Sequence, residues 1–488
     1  MKKNKIICFS FLLLALASCK KVVEIKETDF IGGDIALKTL ANNESGIIGA
    51  YAGFSRTSGN GNLGSGIEMQ VLLNAVFADE VRQGEFYNAQ STHEWQYSSA
   101  DIGLRDSYTA FNLFYRIIDR VNRVLIALPN AAATTAAEIA LKDRLRGEAL
   151  FLRAFCHFEL YRYYSNSAVG TDLAMAYMET PSLQPTARIT VTPYFQKLKA
   201  DLAAAKPLLP AAVTDIFRAN RPSASALQAR VALYLKEYAD AITFSTEYIT
   251  AIPLATRTQF PGIWTDANSS ELSFKISRTA SIGARMGNLW MATSANTANI
   301  GGITWRPSEK LWLSYNQTTD IRFASYLKDE ALLTASVPTR GSRLIQKYKG
   351  TTYGTPTEHV ADVKIFRTAE MVLIRAEALA ETNNLVAAAA DLNALRAARI
   401  TGYTNVILAT QADAITQIMS ERFKELAFEG HRFWDLKRRN LPVERLVADA
   451  PNAAALTLPA GSFRFLLPIP NPEILANPVI QQNPGYTN

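Results

Sequence analysis

Apolar side chains recur along much of this chain at three- and four-residue steps, the spacing that puts them on one face of an α-helix. Tyr108, Phe111, Tyr115, Ile118, Val121, Leu125 and Leu128 form one such stripe. Leu141, Leu145, Glu148, Leu152, Phe155 and Phe158 form a second, which runs on into Tyr161-Arg162-Tyr163-Tyr164 with Arg144, Arg146 and Arg153 on its flanks. Thr192-Pro193 reads as the N-cap and first-turn proline of a helix through Leu202 and Leu208. Two later segments read as helical hairpins. Ser223 would cap a helix through Leu227, Val231 and Tyr234, and after a Lys236-Glu237 link the return helix runs from Tyr238 to Ile249. Residues 367–398 repeat the plan, with Met371, Ile374, Ala378 and Leu379 leading through Asn383-Asn384 to a partner ending near Leu395. Small side chains at Ala229, Ala232, Ala239, Ala241, Ala376 and Ala378 permit close helix approach, as tetratricopeptide-like units require.

The periodicity fails in two places. Residues 252–366 are rich in Gly, Ser, Thr, Asn and Pro and hold four of the six tryptophans, Trp264, Trp290, Trp305 and Trp312. Irregular stretches of that length inside a domain are commonly functional, and so many aromatics argue against disorder. A second irregular stretch, from Asn42 to about Gly103, ends on Trp95 and Tyr97. From Pro459 to Asn488 six prolines prevent any long helix. The pattern predicts a mainly α fold: a tetratricopeptide-like helix-pair scaffold beside a large, irregular, loop-rich half.

The N-terminus is built for export. Lys2, Lys3 and Lys5 precede the apolar run Ile6 to Leu16, which is too short to span a bilayer. Leu16-Ala17-Ser18-Cys19 resembles a bacterial lipobox, which makes residues 1–18 a lipoprotein signal peptide and Cys19 the lipidated residue. Several acyl chains on one cysteine anchor firmly, since each buried methylene contributes about 0.8 kcal/mol. The mature chain then divides into an N-terminal region, 19–250, and a C-terminal region, 251–488. Losing residues 1–18 removes three lysines and lowers the formal charge from +7 to +4. No nucleic-acid stripe results. The Lys437-Arg438-Arg439 run reads as a solvated helix end that complements the helix dipole. Cys156, among Ala154, Phe155 and Phe158, reads as a buried thiol.

The case for an enzyme is thin. His93, His157, His359 and His431 fall in no metal-ligand spacing, and no phosphate loop or serine elbow occurs. No cofactor or metal is implied. Glu421, Glu425, Glu429 and Asp435 could supply the two carboxyls of a glycosidase. Arg422, Lys424, Arg432, Lys437 and Arg438 are interleaved with them, so ion pairing accounts for the set better. Gly430 would end that helix and let Arg432-Phe433-Trp434-Asp435 turn back on it. Binding is the stronger reading. Tryptophan and tyrosine on loops offer flat faces to sugar rings, although each such ring could equally be core.

Three segments together, Arg146-Gly-Glu-Ala-Leu-Phe-Leu-Arg-Ala-Phe to Tyr164, Phe366-Arg-Thr-Ala-Glu-Met-Val-Leu-Ile-Arg-Ala-Glu-Ala, and Glu421-Arg-Phe-Lys-Glu-Leu-Ala-Phe-Glu-Gly-His-Arg-Phe-Trp-Asp, resemble the SusD/RagB family. The ending Leu467-Pro-Ile-Pro-Asn-Pro-Glu-Ile-Leu and Gln482-Asn-Pro-Gly-Tyr fits the same family. The resemblance implies a non-enzymatic outer-membrane lipoprotein that binds glycan at the cell surface and sits as a lid on a TonB-dependent transporter of the SusC type. Peptide capture, or a purely structural lid, is the alternative. By the same resemblance the ligand contacts would fall at Asp79, Trp95 and Tyr97, after the Asp79-Glu80 pair, and at Trp290 and Trp305, before Pro307-Ser308. Family members facing outward often carry acidic residues after the lipid cysteine, where this chain has Lys20-Lys21.

Overall fold

Short polar side chains cap several of the helices, among them Thr39, Thr135, Asn220, Asn384 and Thr410, whose side chains accept a free first-turn amide. A computed structural model describes residues 36–55, 66–85, 90–98, 110–165, 169–281 and 285–487. Residues 1–18, Cys19 and Tyr108 lie outside them. The longer helices are α1 (Leu40–Ala52), α2 (Glu68–Phe77), α3 (Ala110–Ala127), α4 (Ala136–Tyr164), α5 (Val191–Ala205) and α6 (Arg221–Leu235). They continue with α7 (Tyr238–Ala251), α8 (Thr368–Glu381), α9 (Leu385–Arg399), α10 (Gln411–Glu425) and α11 (Arg432–Arg438). Neighbours in sequence pack on one another: α3 on α4, α4 on α5, α6 on α7, α7 on α8 and α8 on α9, with α10 returning against α8. The fold is mainly α, as the periodicity predicts.

Both hairpins form. Lys236 (φ 60°) and Asn383 (φ 60°) make the left-handed turns at their tips. Ala229, Ala232, Ala241, Ala376 and Ala378 are buried between helices, whereas Ala239 faces solvent. Two expected starts move. The cap of α6 is Asn220, whose side chain accepts from the Ser223 amide at 3.0 Å while Ser223 bonds back to the Asn220 amide at 2.9 Å. Pro222 fits inside the first turn because its missing N–H would find no partner there. For the same reason Pro193 sits inside α5, which is preceded by Thr190 and not capped at Thr192. Asn220 is buried and also donates to the Ser273 carbonyl at 2.8 Å. Asn220→Ala should therefore lower stability by about 1–2 kcal/mol, read as a shift in the urea unfolding midpoint.

Regular structure in 252–366 comes in short pieces. The strands pair antiparallel: β1 (Val81–Gln83) with β3 (Trp305–Pro307), β2 (Leu272–Ile276) with β6 (Val363–Arg367), and β4 (Leu327–Asp329) with β5 (Arg343–Ile345). One hydrophobic cluster reaches from Ile47 to Ile480 and takes in residues on both sides of position 250.

A buried ionic lattice joins the late helices to the strands. Glu425, fully buried, accepts from Arg367 at 2.6 Å, from Arg399 at 3.1 Å and from Arg322 at 3.1 Å. Glu421 is held by Arg322 and by Arg396 at 2.7 Å. Glu429 takes Arg367 and Lys347, each at 2.7 Å, and Glu271 takes Arg367 at 2.9 Å and Arg399 at 2.8 Å. The ion-pairing account of these glutamates is the correct one.

The turn after α10 departs from expectation in detail. The helix ends at Glu425, five residues before Gly430, and Phe428 (φ 61°) and Gly430 (φ 81°) shape the turn into α11. Asp435 then folds back onto Arg422 at 2.8 Å. The Lys437-Arg438-Arg439 run is not solvated. The Arg438 side chain is only 7% exposed and is bound to both carboxylate oxygens of Glu377, while Lys437 caps the carbonyls of Arg162 and Ser165 at the end of α4.

Candidate functional site

The irregular half converges on a hairpin that runs from Trp290 to Trp305. Its arms are tied by the Met291–Ile303 bridge, by the Ala292 amide on the Gly302 carbonyl at 2.9 Å, and by two amides, of Thr304 and Trp305, on the Trp290 carbonyl. Beside it lies β1, with Gln83 opposite Trp305 and Val81 opposite Pro307. Gly84 is required here. A Cβ on it would come within 2.3 Å of the Ile303 carbonyl oxygen.

The expected ligand residues meet in this region but do not face outward. Asp79, Trp95, Tyr97, Trp290 and Trp305 are all buried, none more than 5% exposed. Asp79 is gripped by Arg432 at 2.7 and 2.8 Å and by Lys310 at 2.7 Å. Burial alone would raise its carboxyl, yet these two cations hold it well below the usual range. Trp95 sits at φ 54°, donates its indole N–H to the Phe77 carbonyl at 2.9 Å and lies under the Arg445 guanidinium at 4.2 Å. Tyr97 packs on Phe77 with centroids 5.2 Å apart and donates to the Arg464 carbonyl. Trp290 lies against Phe428 at 5.3 Å, and Trp305 against His93 at 5.1 Å. In this structure all five side chains are packed inside the protein, and Trp290 and Trp305, at the base of the hairpin, form a floor beneath its tip. The physical reason is area, since a large ring gains more by burial than a short polar chain does. Trp264, Trp312 and Trp434 are buried as well.

What the floor carries outward is polar. Asn288, Thr293, Asn296, Thr297 and Asn299, on and beside the hairpin tip, are exposed. The tip is held in shape from below. The Asn296 side chain accepts the amides of Ala298 and Asn299 at 2.9 and 2.8 Å. Glu358, buried, accepts the Ser294 amide at 3.1 Å and the Gly354 amide at 2.8 Å. Neither glycine can be replaced without moving the tip, because a Cβ on Gly354 would lie 2.4 Å from Asn296 and one on Gly301 1.9 Å from the Ala292 carbonyl oxygen. This surface of amides and hydroxyls on a braced loop can exchange hydrogen bonds with a polyhydroxylated ligand. Composition was the only signal for it: Ala295-Asn-Thr-Ala-Asn is a run of small and polar residues with no apolar period.

The carboxylates that might have served a glycosidase are all committed. Burial would raise Glu421, but Arg322, Lys424 and Arg396 bring its carboxyl down to about 2, and Glu425 lies lower still beneath Arg399, Arg367 and Arg322. Neither can hold a proton for a leaving group near neutral pH. Cys156 is buried and free, with its thiol pushed well up by burial. Among the described residues no group of three or more His, Cys, Asp or Glu side chains could hold a metal, and no helix is long and apolar enough to cross a membrane.

Comparison with known proteins agrees with this architecture. Residues 284–486 match the SusD family, and residues 57–233 match a SusD-like family described as starch-binding and associating with the outer membrane. A SusD-like protein of Formosa agariphila is 22% identical, with both chains covered in full. A SusD superfamily protein of Bacteroides thetaiotaomicron shares the fold with a TM-score of 0.78 and 24% identity, over 91% of this chain and all of that one. A laminarin-binding SusD-like protein aligns with a TM-score of 0.71 and 21% identity, over 92% of this chain and all of that one. With two family matches that between them account for most of its length, and with the helix-pair scaffold to go with them, this chain belongs to the SusD family.

Proposed function

We propose that this protein captures glycan at the bacterial surface through its loop face and passes it to a SusC-like TonB-dependent transporter in the outer membrane. The observation that carries this reading is the exposed tip of Asn296, Thr297 and Asn299, braced by buried Glu358 above an aromatic floor. Amide and hydroxyl groups fixed in place lose little entropy when a sugar binds them. The laminarin-binding relative supports the ligand class. Asp79, Trp95, Tyr97, Trp290 and Trp305 serve this site as the support that sets the loops. Acyl chains on Cys19 hold the protein at the membrane, beside its transporter.

Equilibrium binding of the mature protein to laminarin, starch and a peptide mixture tests the reading. Glycan binding is expected, and Thr297→Val with Asn299→Ala should weaken it about tenfold, the loss of one or two good hydrogen bonds. Peptide binding with no glycan binding would replace glycan by peptide as the cargo. Cys19→Ala should release the protein from the membrane fraction, and loss of the wild-type protein from intact cells on protease treatment would place it on the outside. Co-purification with the transporter that survives loss of all ligand binding would favour the purely structural lid.

A further inference from the structure

A cavity of about 450 Å3 lies between the end of α4, the α6–α7 turn, α11 and the C-terminal segment, away from the hairpin tip. Tyr161, Tyr234, Trp434 and Phe465 supply aromatic walls, and no Asp or Glu lines it. It opens to solvent past Val169, Lys236 and Asn440, all exposed.

Its cations differ in how they are satisfied. Arg162 is paired with Glu159, and Arg438 with Glu377 and Asp435. Lys437 has no carboxylate partner among the described residues. Its ammonium donates to the carbonyls of Arg162 at 2.8 Å and Ser165 at 2.6 Å, at the negative end of the α4 dipole, and lies 5.2 Å from the Trp434 ring centroid. An ammonium has three donors, so one is left. Two more polar groups in this wall lack partners among the described residues: the Trp434 indole N–H and the Ser165 hydroxyl, in residues 0% and 1% exposed. Buried groups of that kind usually have partners, and leaving them without is costly.

We propose that this cavity binds an acidic sugar unit, a pyranose bearing a carboxylate, with the carboxylate on Lys437 and ring hydroxyls on Ser165 and the Trp434 indole. The aromatic walls suit the C–H faces of a pyranose, and the volume falls in the range of small-molecule sites. A bare inorganic anion would leave those walls unused, and a neutral sugar would leave Lys437 without its counter-charge. Burial, helped by Arg162, pushes the Lys437 ammonium down to about 7, and an adjacent carboxylate restores its charge. The site stands independently of the hairpin tip.

Titration calorimetry of the mature protein with glucuronic acid, oligogalacturonate, glucose and inorganic sulfate tests this. Glucuronic acid should bind at least tenfold more tightly than glucose or sulfate. Lys437→Gln should weaken it about ten- to a hundredfold, the loss of a charged hydrogen bond. Val169→Trp, which blocks the mouth and leaves the cap on α4 untouched, should abolish it. If only the oligogalacturonate binds, and Val169→Trp removes that binding, the cavity receives the terminal acid of a chain and the proposal stands. Failure of both acids to bind, or acid binding unaltered in both variants, would overturn it. Laminarin and starch titrated against Val169→Trp report the hairpin tip separately, so the two readings fail independently.

Discussion

Glu425→Leu should destabilise the protein by about 3–5 kcal/mol, the characteristic loss when one member of a buried ion-pair set is removed and its partners stay behind. Glu425 is fully buried and is shared by Arg322, Arg367 and Arg399. Arg322 would keep Asp320 and Glu421, Arg367 would keep Glu271 and Glu429, and Arg399 would keep Glu271. Those three guanidiniums, together with Arg396 on Glu421 and Lys347 on Glu429, would then share four carboxylates in a medium that solvates them poorly. Leucine fills the volume and supplies no acceptor, so packing cannot restore the loss. The pair Lys199–Glu237, with side chains 45% and 37% exposed, is the comparison: Lys199→Ala should change stability by less than about 0.5 kcal/mol. Urea unfolding of both variants checks the contrast. A Glu425→Leu midpoint equal to that of Lys199→Ala would show that the lattice contributes to geometry and not to stability. The hairpin floor depends on the same lattice, because Glu429 and Phe428 lead from it to Arg432 and Trp290.

Acid should destabilise the protein from about pH 6.5 downward, with the paired carboxyls adding their loss between about pH 4 and pH 2. The Glu421 carboxyl is held at about 2 in the fold, against an ordinary value near 4.3 when unfolded, while Asp79 and Glu425 lie lower still. A depressed carboxyl adds stability that is present above its unfolded value and lost as pH falls through its folded one. Each such group then accounts for on the order of 3 kcal/mol at the acid limit. His157, held at about 3 by burial and then by Arg153, acts in the same direction from higher pH, since it must charge on unfolding. Its contribution begins to fall near pH 6.5. Urea midpoints at pH 7, 4 and 2.5 should drop over both intervals, the first as the buried histidine must charge and the second as the paired carboxyls protonate. Equal midpoints at pH 4 and 2.5 would contradict the pairing described for Asp79, Glu421 and Glu425.

Chemistry was legible in the chain wherever it is local. The hairpin of α6 and α7 can be read from Leu227, Val231 and Tyr234, because a helix turns the order of residues into a face. The interleaving of Glu421, Arg422, Lys424 and Glu425 likewise points to ion pairs, since residues three and four apart share a helix surface. Helix starts near prolines lie two or three residues earlier than the spacing suggests: a proline fits at more than one position of the first turn, and only the Asn220–Ser223 bonds select the real start of α6. The loop aromatics were harder. Trp95, Trp290 and Trp305 have no periodic neighbours, so nothing nearby in sequence says which side of a loop they take.

The amino-acid sequence by itself determined the helix-pair scaffold, the irregular half and the family, because those rest on spacing and on contiguous motifs. Tertiary structure alone decided which residues of the irregular half face water. Trp290 and Trp305 are brought together by a hairpin closed between residues 291 and 303, and Asp79 meets Arg432 across more than three hundred residues. Burial there is settled by those distant contacts: the large rings take the interior, and Asn296, Thr297 and Asn299 are left to meet solvent. The same holds for Lys437, which in sequence reads as the charged end of its own helix and in the fold closes the end of another.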